Sequence, residues 1–249
     1  MPALQRLTEA WRHFAAALAG GRRCAVCGRR LNEGEDEVCA ACLTGLPFTR
    51  FHGRPGNPAE RIFLGVLPVE RASSLLRYHP LERSRFVLLR LKYFHAPSSG
   101  IALGRMMARD VLAEGFFHGI DAIVPVPLTA QRLRRRGYNQ SEMLARGMAD
   151  VTGLPVETQA VTRVVERPSQ TTLHGPSRRE NVEGVFRLTA PDRVASRHLL
   201  LVDDVLTTGS TLLSLGRTLQ AAGGVRLSIL TLALAGTHHV VEDGGIATP

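Results

Sequence analysis

Two adjacent carboxylates, Asp203 and Asp204, are followed by small hydroxylated residues, Thr207, Thr208, Ser210 and Thr211, with Gly209 among them. The two halves suit different parts of one ligand. Paired carboxylates accept hydrogen bonds from a pair of sugar hydroxyls. Loop amides and hydroxyls at a helix start form an anion site, and a glycine there lets the backbone come close. Val205 and Leu206 join the halves. A phosphorylated ribose is the simplest ligand that needs both.

Four cysteines form a second constellation. Cys24 with Cys27 and Cys39 with Cys42 make two Cys-x-x-Cys pairs, and no other cysteine is present. Two chelating thiolate pairs match a structural, tetrahedral zinc ion with no open coordination position. Gly28 follows the first pair, where a knuckle turn leaves little room for a side chain. Two disulfides, a redox-active pair and an iron–sulfur cluster are the competing chemistries. A segment of about 50 residues builds little core alone, so a metal would supply its folding free energy.

These groups need elements to position them. The apolar run Leu199 to Val202 reads as a buried parallel strand, with the carboxylates just beyond its C-terminal end, where open parallel sheets bind ligands. A helix from Ser210 to Ala222 and a strand from Val225 to Leu234 complete a βαβ unit. Upstream, Ile62 to Val69 and Ser74 to Tyr78 read as strands, and Ile123 to Pro127 as a short strand entering a loop. Helical periodicity runs over Leu81 to Tyr93, Ile101 to Glu114 and Gln140 to Val151. Leu4, Leu7, Trp11, Phe14 and Leu18 fall at helical spacing and predict an amphipathic N-terminal helix rather than a signal peptide. The expected organisation is a helix and four-cysteine module over 1–52, a Gly/Pro-rich linker over 53–60, an α/β domain over 61–236 and a mobile tail over 237–249.

The segment His198 to Thr211 closely resembles the 5-phosphoribosyl-1-pyrophosphate (PRPP) signature of type I phosphoribosyltransferases. That resemblance implies that Asp203 and Asp204 bind the ribose hydroxyls and that Thr207 to Thr211 wrap the 5′-phosphate. Further motifs precede it in order: Leu91-Lys92-Tyr93, Val124 to Leu128, Arg136 to Ser141, Gln170, and Arg178 to Asn181 with Gly184 and Phe186. With the cysteine pairs, they make the chain similar to the ComF family, from Cys24 to about Ala235. The resemblance implies a phosphoribosyltransferase-like parallel sheet flanked by helices and a cytoplasmic location. It implies a role in DNA uptake and natural competence, on incoming single-stranded DNA. It names no acceptor substrate.

PRPP chemistry requires Mg²⁺ and cations to hold the departing pyrophosphate. The candidates are Lys92 and, in the loop after Val126, Arg132, Arg134, Arg135 and Arg136. Arg132, Arg134 and Arg135 could instead contact nucleic-acid phosphates, or form a solvated charge run. Tyr138 could stack on a base while Asn139 and Gln140 read its edge; alternatively Asn139 caps a helix with Tyr138 packed beneath it. The polar stretch Arg167 to Asn181 lies where related transferases carry a lid, which would bring Gln170, Arg178, Arg179 and Asn181 to the ligand on closure. His174 there is a candidate proton carrier. The cysteine module would cap the site or dock a competence helicase or another uptake or recombination protein, and such sites also form across homodimers.

Composition narrows the classes. In 249 residues, hydrophobic content of 44% and charged content of 21% describe a globular protein, with no apolar run long enough to span a membrane. A formal net charge of +9 favours anionic partners. Lys92 is the only lysine, and no Gly-x-x-x-x-Gly precedes it, which excludes a Walker-type ATPase. Three classes stay open: a PRPP-dependent transferase, a non-catalytic DNA-uptake factor, and a PRPP-sensing regulator.

Overall fold

A computed structural model describes residues 22–51, 53–93, 96–164 and 184–236. The expected N-terminal helix, lid and tail lie outside the described residues, and with them Gln170, His174, Arg178, Arg179 and Asn181.

The cysteine segment contributes one short helix, α1 (Ala40–Leu43), and a second, α2 (Pro58–Arg61), follows. The central elements are β1 (Arg71–Arg77), α3 (Arg83–Tyr93), α4 (Pro97–Leu112), β2 (Ala122–Pro125), α5 (Ala130–Arg136) and α6 (Gln140–Thr152). They lead to β3 (Val161–Arg163), β4 (Phe186–Leu188), β5 (His198–Leu206), α7 (Ser210–Gln220) and β6 (Arg226–Leu234). The main sheet has the order β1-β6-β5-β2, and every pairing in it is parallel. β3 and β4 form a separate antiparallel ribbon. This is the parallel sheet flanked by helices that the sequence implies.

Alternation along β5 assigns its two faces. Leu200 and Val202 join α3, α4 and α6, with Leu91, Leu103, Met107 and Leu144. Leu199 and Leu201 join α7 and the ribbon, with Leu212, Leu215 and Phe186. With both faces covered, the strand is apolar without interruption from Leu199 to Val202. Cys24, Cys39, Cys42 and Leu46 belong to the first cluster, so the cysteine module packs onto the sheet's own core. α4 and α6 touch backbone to backbone. A Cβ on Gly104 would lie 2.1 Å from the Leu144 carbonyl oxygen, and one on Gly147 2.0 Å from that of Ile101.

Three sequence expectations need correction. Ile62 to Val69 is not a strand. Pro58 opens α2, capped by the Asn57 side chain, and the chain then turns through Gly65 at φ +73°. Phe63 and Leu67 are buried at helical spacing while Leu64 is exposed, so the apolar run has the wrong period for a strand. Within residues 53–60, Asn57 and Ala59 are buried, and the Asn57 amide donates to the Ala72 carbonyl. The loop expected after Val126 coils into α5, with Thr129 accepting from the Arg132 amide and Gly137 closing it at φ +79°. β5 does not stop at Val202 but continues to Leu206, because pairing with β6 carries past the carboxylates.

Candidate active site and metal centre

Asp203 and Asp204 therefore lie within the last turns of a central strand, Asp203 in register with Thr231 of β6. The sheet fixes their backbone, and side chains from two helices fix their carboxylates. From α6, the Ser141 hydroxyl donates to Asp203 Oδ1 at 2.9 Å, and the Asp204 amide donates to the same oxygen at 2.8 Å. From α3, Lys92 Nζ pairs with Asp204 Oδ2 at 3.0 Å. Burial and the neighbouring Asp204 charge push the Asp203 carboxyl up to about 7, against the bonds from Asp204 and Ser141 and the charge of Lys92. Burial disfavours the Lys92 charge, but attraction to Asp204 and Asp203 outweighs it, and its pKa is raised.

The segment after α5 braces this pair. Arg136 donates to Gln140 Oε1 at 2.8 Å. The Tyr138 hydroxyl donates to the Leu91 carbonyl, one residue from Lys92. Asn139 caps α6 by accepting from the Ser141 amide, and its own amide donates to the Val126 carbonyl at 3.0 Å. Asn139 is thus a helix cap. Tyr138 is half-buried and ties the α5–α6 corner to α3. Arg134 and Arg135 lie exposed on α5, and Arg132 and Arg136 are partly covered.

The second half of the site follows β5 directly. Gly209 stands at the N-cap position of α7 at φ +73°, and no side chain makes a capping hydrogen bond there. A Cβ there would lie 2.6 Å from Ile62 Cγ2, so the turn 62–63 backs the loop. Asp203, Val205, Leu206, Thr207, Gly209, Ser210 and Thr211 line one small concavity. Thr207 and Thr208 are exposed. Free amides at the start of an 11-residue helix favour an anion here.

The cysteines converge at the opposite end of α3. Their four Sγ atoms lie within 4.8 Å of one another, with Cys27 and Cys39 at 3.8 Å. A tetrahedron with Zn–S of about 2.3 Å has an edge of about 3.8 Å, so one metal ion fits between them. Cys24 Sγ accepts from the Cys27 and Cys39 amides at 3.5 and 3.4 Å, the bonds a thiolate requires. Burial opposes ionisation of Cys39, but the Cys42 amide, Arg29 and the thiols of Cys42 and Cys24 bring its pKa down to about 6. Arg83 of α3 reaches the Ala41 carbonyl at 2.7 Å and Cys42 Sγ at 3.8 Å.

The structure thus brings Lys92 and Arg136 into one region with Asp203 and Asp204. Ser141, quoted in the sequence only as part of a motif, is the contact sequence reasoning missed. Its signal is positional: a hydroxyl two residues after a cap belongs to the first helical turn.

This arrangement can be set beside known proteins. No family model matches the chain. The "DNA utilization protein YhgH" of Salmonella typhi is 32% identical over 212 residues, covering 84% of this chain and 88% of that protein. The "Competence protein F" of Haemophilus influenzae is 26% identical over 228 residues, covering 86% and 97%. A crystal structure of adenine phosphoribosyltransferase matches 59% of this chain and 84% of its own, at 15% identity and a TM-score of 0.36. The chain belongs to the family of DNA utilization protein YhgH and competence protein F, the ComF family. Among the described residues no helix is long and apolar enough to cross a membrane.

Proposed function

We propose that this protein binds PRPP with Mg²⁺ at the C-terminal end of β5 and serves the uptake or use of incoming DNA. One observation carries the site: Asp203 and Asp204, braced by Ser141 and Lys92, stand beside an uncapped helix N-terminus reached through Thr207 to Thr211. The carboxylates would accept the ribose hydroxyls, and the loop amides and hydroxyls would hold the 5′-phosphate. Lys92 and Arg136 would face the pyrophosphate. In a transfer reaction the bond from the anomeric carbon to pyrophosphate breaks, and one to the acceptor's nucleophile forms. Mg²⁺ would neutralise the departing oxygens. The DNA role rests on the relatives named above. The +9 charge and the exposed Arg134 and Arg135 support contact with single-stranded DNA. The four cysteines would hold structural zinc.

The test is calorimetry of PRPP with Mg²⁺, with and without single-stranded DNA, with pyrophosphate followed in the same samples. Binding with DNA-dependent release would establish transfer. Binding without release would favour a sensor or uptake factor. Absence of binding would refute the site.

A further inference from the structure

Gln140 is the first residue of α6 and only 2% exposed, yet its side-chain nitrogen Nε2 has no hydrogen-bond partner. Buried amide donors are almost always hydrogen-bonded, so such a group asks for an explanation. Its orientation is fixed chemically. Arg136 has only donors to offer, so the amide must turn its oxygen toward Arg136 and its nitrogen away. Two neighbouring contacts connect this corner to the carboxylates. Ser141, the next residue, holds Asp203. Arg136 is close enough to Lys92 to oppose its charge. The Tyr138 hydroxyl anchors this corner to α3 beside Lys92. Asn139 satisfies the Ser141 amide but leaves Gln140 Nε2 unused.

Resting on the PRPP site proposed above, we infer that Gln140 is a ligand-binding residue whose Nε2 donates to an oxygen of the pyrophosphate, with Arg136 as the positioning residue that holds the amide for it. The pair makes the site specific. On that reading the 5′-phosphate sits in the concavity lined by Thr207, Gly209, Ser210 and Thr211, which has no α6 residue in its lining. Only a ligand with a second anionic group at the anomeric carbon can use Lys92, Arg136 and Gln140 together. The site would thereby separate PRPP from ribose 5-phosphate, which carries the same ring and 5′-phosphate.

The experiment compares PRPP and ribose 5-phosphate binding by calorimetry for the full chain and for Gln140→Met and Gln140→Glu. The methionine keeps the volume and removes the donor. The glutamate keeps an acceptor for Arg136 and replaces the donor with a second anionic oxygen. A lost hydrogen bond to a charged group corresponds to about tenfold or more in affinity. Gln140→Met is expected to weaken PRPP by about tenfold and Gln140→Glu by more, both with ribose 5-phosphate affinity within about twofold of the parent. Unchanged PRPP affinity in both variants would overturn the inference. So would equal losses for the two ligands in variants that melt like the parent, because that marks a structural role. Failure of the parent chain to bind PRPP at all would refute the site itself and this inference with it.

Discussion

Replacing Asp203 with asparagine should make the protein more stable and unable to bind PRPP. The carboxyl is raised from 3.8 to about 7 by burial and by Asp204. At about 1.4 kcal/mol per pH unit, that displacement amounts to about 4 kcal/mol of folding free energy lost to keeping Asp203 ionised. The residue is partly exposed, and water relieves some of this, so about 1–3 kcal/mol is the reasonable gain for Asp203→Asn at pH 8. The asparagine oxygen can still accept from Ser141 and from the Asp204 amide. The sign follows from the raised value. Below 3.8 both states are protonated and no penalty exists; the penalty grows as pH rises from 3.8 to about 7 and is constant above. Thermal unfolding should therefore show a midpoint higher by roughly 3–10 °C at pH 8, with less than half the free-energy gain left at pH 5. A variant less stable than the parent at pH 8, or a difference that ignores pH, would refute the electrostatic account. Retained PRPP affinity would separately refute the role of Asp203 in the site.

Lys92→Met should act in the opposite direction, because it strips the counter-charge at 3.0 Å from Asp204. We expect a loss of about 1–3 kcal/mol at pH 8, smaller at pH 5, and PRPP affinity at least tenfold weaker; equal unfolding midpoints at pH 8 would count against the pairing. Gly209→Ala should cost about 2 kcal/mol by urea unfolding, since φ is +73° and the new Cβ would press on Ile62, and should abolish ribose 5-phosphate binding. Normal binding by that variant would move the phosphate site elsewhere. Zinc analysis should give one ion per chain, lost in Cys24→Ser; chelation should lower the unfolding midpoint of the whole protein, since the cysteines share the sheet's core. A separate, early transition for the cysteine module would contradict that.

What was legible in the sequence and what was not divides by distance along the chain. The Asp203–Asp204 pair, the loop to Thr211 and the cysteine pairs are contiguous patterns, so their residues could be picked out as groups from spacing alone. The braces are not contiguous. Ser141 and Lys92 lie 62 and 112 residues from the aspartates they touch, and only the packing of α3 and α6 against β5 brings them there. The strand expected over Ile62 to Val69 failed for a related reason: its apolar content was visible, but its period and the Asn57 cap decided its shape. Helix α3 shows what this means for function. Near its start Arg83 grips Ala41 and Cys42, and near its end Lys92 grips Asp204. Between them, the Arg90 guanidinium fills the space a side chain on Gly28 would need. The expected role of the cysteine module is therefore wider than its own folding. Losing its metal should loosen the helix that carries the site's only lysine, so chelation should weaken PRPP binding at temperatures well below the unfolding transition. Calorimetric affinity that is identical with and without metal would show that Asp204 and its neighbours hold Lys92 unaided.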